Sequence, residues 1–108
     1  MVKVIYHRDR NRVSVTGHAQ SGEVGHDLVC ASVTILVYTL AAFVQNMKQA
    51  NQVYNPIAEL KEGDAVISCA PPAKYKNSVT LVFDSICGGF DILAKNYPDN
   101  VSFEMFGE

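Results

Sequence analysis

At 108 residues, 48% hydrophobic and 19% charged, the chain has the size and composition of one globular domain, residues 1–108, able to bury a core. A formal net charge of -2 without a basic stripe counts against direct nucleic-acid binding; the clustered cations Lys3, His7, Arg8, Arg10 and Arg12 read as a solvated first turn. Three cysteines are an odd number, and the chain opens on a strand pattern without a basic-then-apolar targeting segment, so the expected compartment is the reducing cytoplasm.

In chain order, Val2 to His7 and Arg12 to Gly17 alternate apolar and polar residues as strands, with Arg8-Asp9-Arg10-Asn11 as the connecting turn of a hairpin. From Leu28 to Val44 run seventeen residues without a charge, short of the roughly 20 apolar residues that span a bilayer. Ser32, Thr34 and Thr39 interrupt the run, and no aromatic belt flanks it. The segment from about Leu28 to Ala50 is therefore expected to be a helix buried on most of its circumference, with no membrane involved.

Val53 to Leu60 and Ala65 to Ala70 form a second expected hairpin around Lys61-Glu62-Gly63-Asp64, a strong turn signal, and Pro71-Pro72 ends it. Tyr75, Val79, Val82, Ile86, Phe90, Leu93 and Tyr97 then recur at steps of three and four, which predicts an amphipathic helix with Lys76, Thr80, Asp84, Asp91 and Lys95 outward. Glycine inside a helix costs about 1 kcal/mol relative to alanine, so Gly88-Gly89 predicts close backbone packing against the first helix. A closing strand carries Val101, Phe103 and Met105 on one side. The fold class is α+β: a mostly antiparallel sheet of about five strands with two helices packed on one face.

Between the first hairpin and the first helix lies the segment with chemical content, Gly17-His18-Ala19-Gln20-Ser21-Gly22-Glu23-Val24-Gly25-His26-Asp27-Leu28-Val29-Cys30-Ala31. A histidine leaving a strand and a cysteine entering a helix bracket a glycine-rich loop. The thiolate is the attacking form, and a free cysteine, with a pKa of about 8.5, supplies little of it at neutral pH. With Asp27 as N-cap, Cys30 would be at about the third helical position, beside unpaired amides and the positive end of the helix dipole. Helix N-termini and imidazoles bring cysteines in general to roughly 3.5 to 7.5, while the charge of Asp27 opposes that effect. Thirteen residues from His18 to Cys30 can span about 40 Å when extended, so the loop permits the meeting without forcing it.

Gly17-His18-Ala19, then Gly22-Glu23, then Gly25-His26-Asp27-Leu28-Val29-Cys30-Ala31 resemble the ribosomal-processing cysteine protease family, whose mark is a Gly-His pair, a glycine-rich loop and Asp-x-Val-Cys-Ala. Recognisable identities are confined to residues 17–34, while the order of elements matches over nearly the whole chain. The resemblance implies a catalytic dyad of His18 and Cys30, with Gly17 and Asp27 supporting it. The family often has serine where this chain has Thr34. A threonine four residues after Cys30 shares its helix face and can support the sulfur, or bond the carbonyl one turn back.

The implied activity is endoproteolysis: removal of the short N-terminal extension, rich in apolar and aromatic residues, of a large-subunit ribosomal protein, by a homodimeric enzyme without a cofactor. Cys30 would attack the carbonyl, His18 would take and return the proton, and backbone amides at the helix start would steady the oxyanion. Gly22 and Gly25 would let the loop close over an extended peptide, unless they serve only its turns. His26 is an alternative base. The other classes are a non-catalytic binding module docking on a ribosomal protein or ribosome, and a metal site from His18, His26 and Cys30. That set is one ligand short of a closed zinc site, so no metal is expected.

Overall fold

A computed structural model describes residues 1–17 and 26–108, with side chains in the second segment described from Leu28 onward. Strands β1 (Val2–His7) and β2 (Arg12–Thr16) form the first hairpin. Its connection is a 3-10 turn, Arg8–Arg10, followed by Asn11 at φ 46°, a left-handed conformation that asparagine tolerates better than most residues. Asn11 is fully buried and its groups are bonded. Its carbonyl accepts from the Cys69 amide at 3.2 Å, its Nδ2 donates to Thr80 Oγ1 at 3.1 Å, and its Oδ1 accepts from Lys76 Nζ at 2.5 Å.

Strands β3 (Tyr54–Lys61) and β4 (Asp64–Ala70) form the second hairpin, and β5 (Val101–Phe106) closes the chain. The sheet order is β3-β4-β2-β1-β5, antiparallel except that β5 runs parallel to β1. Pairing aligns one inward row through Phe103, Val4, Val15, Ala65 and Leu60, and the next through Met105, Tyr6, Val13, Ile67 and Ala58. Because strand side chains alternate, this register directs one set of apolar positions to one face, where α1 (His26–Gln49) and α2 (Ala73–Asn96) cover it.

The first helix departs from expectation in how much of it is covered. Val29, Val33, Val37, Leu40, Ala41 and Val44 form its buried stripe, yet Leu28, Ile35 and Tyr38 are 58%, 60% and 56% exposed. Among the described residues, with the sheet on one side and one neighbouring helix on another, no element covers the outer face of α1. Leu28–Gln49 meets the length and hydropathy of a membrane span, but its buried stripe belongs to the same apolar cluster as the sheet and α2, the role of a core helix. Within this helix Ser32 and Thr39 donate to the carbonyls of Leu28 and Ile35 at 2.8 and 2.6 Å, as such hydroxyls do in helices.

The buried face of α2 is rotated from the expected one, with Val79, Thr80, Phe83, Cys87, Phe90 and Leu93 at its centre. Thr80 and Asp84 are therefore turned toward the first hairpin rather than to the outer side, since Asn11, Tyr6 and Arg8 there supply polar partners that periodicity cannot reveal. A Cβ on Gly89 would come within 2.8 Å of Leu36 Cδ2 of α1, which confirms the close helix approach. Gly88 has nothing within 4 Å of that position and is not needed for it.

Candidate active site

At one end of the sheet, α1 and the β3–β4 turn face each other across a groove of about 450 Å³. Cys30, Val33, Thr34, Val37 and Tyr38 form the helical wall, residues 60–65 the opposite wall, and Val2, Val15 and Gly17 the floor. The floor is apolar because it is the end of the inward rows of β1 and β2. Cys30 is half-buried, and Thr34, one turn further along α1, is exposed on the same wall. The expected sharing of a face by Cys30 and Thr34 is thus met.

Gly17 is placed for a reason of its own. Its φ is +93°, a Cβ there would stand 2.2 Å from the Met1 carbonyl oxygen, and its amide donates to the Gly63 carbonyl at 3.0 Å. Only glycine combines that backbone conformation with that close approach. The end of β2 is so anchored to the β3–β4 turn on the groove, and His18 is the next residue in the chain. His18, Gly22 and Gly25 lie outside the described residues, as do the side chains of His26 and Asp27.

The described part of α1 already includes His26 and Asp27, ahead of the expected start at Leu28. Asp27 is therefore a helical residue rather than the cap, and Cys30 is at the fifth helical position or beyond rather than at about the third. That far into a helix the amide of Cys30 is already inside the hydrogen-bond ladder, and its side chain leans toward the preceding turn.

The other two cysteines contrast with Cys30. Cys69 on β4 and Cys87 on α2 are 4% and 2% exposed. Burial pushes the Cys69 thiol up to about 11 despite Lys76, and burial with the Asp84 charge pushes Cys87 up to about 12. Both are inert core thiols at neutral pH, as their apolar settings implied. Among the described residues no group of three His, Cys, Asp or Glu side chains could hold a metal ion.

Sequence reasoning missed the second wall. Leu60 to Ala65 read as a hairpin turn and nothing more, and Tyr38 as a helix residue; only the β2–β4 pairing, with Thr16 opposite Asp64, brings that turn to face Cys30.

Cys30 thus presents a half-buried thiol on a groove wall, while Cys69 and Cys87 are sealed in the core. The family model described as Cysteine protease Prp matches residues 1–102. The chain belongs to that family of cysteine proteases. Among solved structures, SMU.848 from Streptococcus mutans is similar with a TM-score of 0.66 and 26% identity over 99% of this chain and 93% of that one. Two structures of the essential ribosomal processing protease Prp from S. aureus share the fold. One, with a covalently linked product peptide, has a TM-score of 0.68 and 18% identity; each chain is covered to 97%. The other, with a substrate peptide, has a TM-score of 0.69 and 17% identity, again with 97% of each chain covered. No curated protein matches the chain.

Proposed function

We propose that this protein is a ribosomal-processing endopeptidase that removes the N-terminal extension of a large-subunit ribosomal protein, with Cys30 as nucleophile and His18 as base. The observation that carries the reading is Cys30 on the groove wall in a chain of the cysteine protease Prp family. From Cys30 to Tyr38 the helical wall is about 12 Å long at 1.5 Å per residue, room for three to four extended residues at about 3.3 Å each. The apolar lining of Val2 and Val15 on the floor and Val33 and Val37 on the helical wall suits the apolar side chains of such an extension.

In the mechanism, the proton of Cys30 passes to His18 and the sulfur attacks the scissile carbonyl. Amides at the start of α1 stabilise the oxyanion, and the tetrahedral intermediate expels the amine, which takes the proton from His18. The acyl group is left as a thioester on Cys30. Water, deprotonated by His18, then hydrolyses it and restores the thiol. A structural neighbour described with a covalently linked product peptide supports this covalent route.

We also propose a homodimer through the outer face of α1, where Leu28, Ile35 and Tyr38 are exposed and no charged residue intervenes from Leu28 to Val44. Sedimentation should show a dimer that Ile35→Glu dissociates; a monomeric parent protein would refute it. For the activity, the protein is incubated with the extended ribosomal protein. One shortened product, absent with Cys30→Ala, is expected; tight binding without cleavage would make the chain a binding module instead.

A further inference from the structure

The two edges of the sheet are built differently. At β3, Pro56 has no amide to donate, Asn55 lies at φ 48°, the register slips between Tyr54 and Ile57, and Lys61 ends the strand. Such features keep an edge from pairing with further chains. β5 has none of them. Val101–Phe106 holds one unbroken register with β1 and contains no proline, glycine, lysine or arginine. Among the described residues no strand pairs with its outer side.

In a parallel pair, successive residues of a strand point their peptide groups alternately to one side and the other. Val2 donates its amide to the Asn100 carbonyl at 2.8 Å, so Ser102, Glu104 and Phe106 address β1, while Phe103 and Met105 present N–H and C=O outward. On the helix side of this edge lies a recess of about 250 Å³, with Phe103, Met105, Tyr6, Cys87, Gly88 and Asp91 in its lining. Gly88 has nothing within 4 Å of where a Cβ would stand. It takes no part in helix packing although glycine weakens a helix interior, and its missing side chain leaves the recess open.

We propose that the β5 edge binds an extended basic peptide segment as an added strand, with an apolar side chain seated in the recess over Gly88 and a lysine or arginine on the open face beside Glu104. Strand addition takes its affinity from main-chain bonds and its specificity from pockets for alternate side chains. Charge selects the occupant. Glu104 is exposed and its partner on β1 is Ile5, with Lys3 one row away opposite Ser102, so a cation directly beside Glu104 must come from outside the edge. Asp9 and Glu108 lie together beyond the Phe106 end, while Arg8 is held by Asp84 and Lys95 by Asp91. A second copy of the chain does not meet this demand, because two-fold pairing of β5 with itself is antiparallel and sets one Glu104 on the strand beside the other. The recess shares no lining residue with the Cys30 groove, so the inference is independent of the peptidase reading.

The probe is a fluorescein-labelled seven-residue peptide alternating valine and lysine, read by anisotropy. It should bind the parent protein, and equally well after Cys30 is alkylated, whereas the same peptide with glutamate for lysine, or with its backbone amides N-methylated, should not bind. Met105→Pro removes an outward N–H without touching the ladder to β1 and should weaken binding about tenfold, the scale of one hydrogen bond. Glu104→Lys should weaken it about fivefold, as for a lost cross-strand charge pair. Gly88→Leu fills the recess and should weaken binding while raising the melting temperature, since it relieves the helix of a glycine; circular dichroism melts of every variant separate lost binding from lost fold. No binding of the lysine peptide, equal binding of the glutamate or N-methylated peptide, unchanged affinity in both Met105→Pro and Gly88→Leu, loss of binding on alkylating Cys30, or a parent dimer that Met105→Pro dissociates would overturn the proposal.

Discussion

Where the first hairpin turns, side chains of β1, the 3-10 turn and α2 bond to one another across 65 to 78 residues of sequence. Where Cys30 lies, the described walls are joined by backbone pairing and apolar packing, and they leave a groove. At the turn end, Asp84 accepts from the Tyr6 hydroxyl at 2.8 Å and from Arg8 Nε and Nη2 at 3.0 Å each, while Asn11 joins Thr80 and Lys76. Burial first, and then the bond to Asp84, raise the Tyr6 hydroxyl far above its ordinary range. The difference teaches a division of labour: polar groups that bond each other lock two layers together at one end, and the described walls at the other hold the half-buried Cys30 beside a groove.

The sharpest way to break the comparison is to remove the thiol. Cys30→Ala should abolish processing, leaving the melting temperature nearly unchanged, because a half-buried side chain on a groove wall contributes little to the core. His18→Ala should match it in activity, as members of a catalytic unit do, and His26→Ala should retain most activity. Product analysis of the three variants decides the assignment; survival without His18 and loss without His26 would reverse the base.

Next in size is Gly17→Ala, which sets a methyl against the Met1 carbonyl and a side chain at positive φ. It should lower stability by about 1 to 3 kcal/mol and reduce turnover, because the strand end leading to His18 must shift. A denaturant melt showing no loss would remove the structural role assigned to this glycine.

A smaller effect, with a pH signature, belongs to the polar network at the turn end. Hydrogen bonds from Arg8 lead the causes that hold the Asp84 carboxyl below the usual carboxylate range. With a folded pKa below the unfolded value of about 3.9, the carboxylate stabilises the fold above that unfolded pKa. That stability is lost as pH falls through the folded pKa. Asp84→Asn should lower the melting temperature by several degrees at pH 7 and by less as the pH drops below about 4, with peptide cleavage unaffected. A constant difference across that range would contradict the ionic account.

Much of this was legible in the sequence, for local reasons. Strand alternation placed all five strands within a residue or two, three-and-four spacing found the second helix, and a long charge-free apolar run found the first, because burial leaves its imprint on each element. Cys30, Thr34 and Gly17 were identified as a local motif and are found on one groove. What was not legible depends on contacts distant in sequence. The partners of Asp84, the rotation of α2, the exposed face of α1, the parallel pairing of β5 and the turn opposite Cys30 all follow from which strands adjoin. Asp27 was misread because it has the chemistry of a cap and serves as a helical residue instead.

The central claim is that Cys30 alone of the three cysteines performs the chemistry. Folded protein is treated with increasing iodoacetamide at neutral pH, adducts at each cysteine are counted by mass spectrometry, and processing of the extended ribosomal protein is measured on the same samples. Activity should fall in proportion to the adduct at Cys30, with Cys69 and Cys87 unmodified until the protein is denatured. Full activity with Cys30 fully alkylated, or lost activity with Cys30 unmodified, would contradict the account.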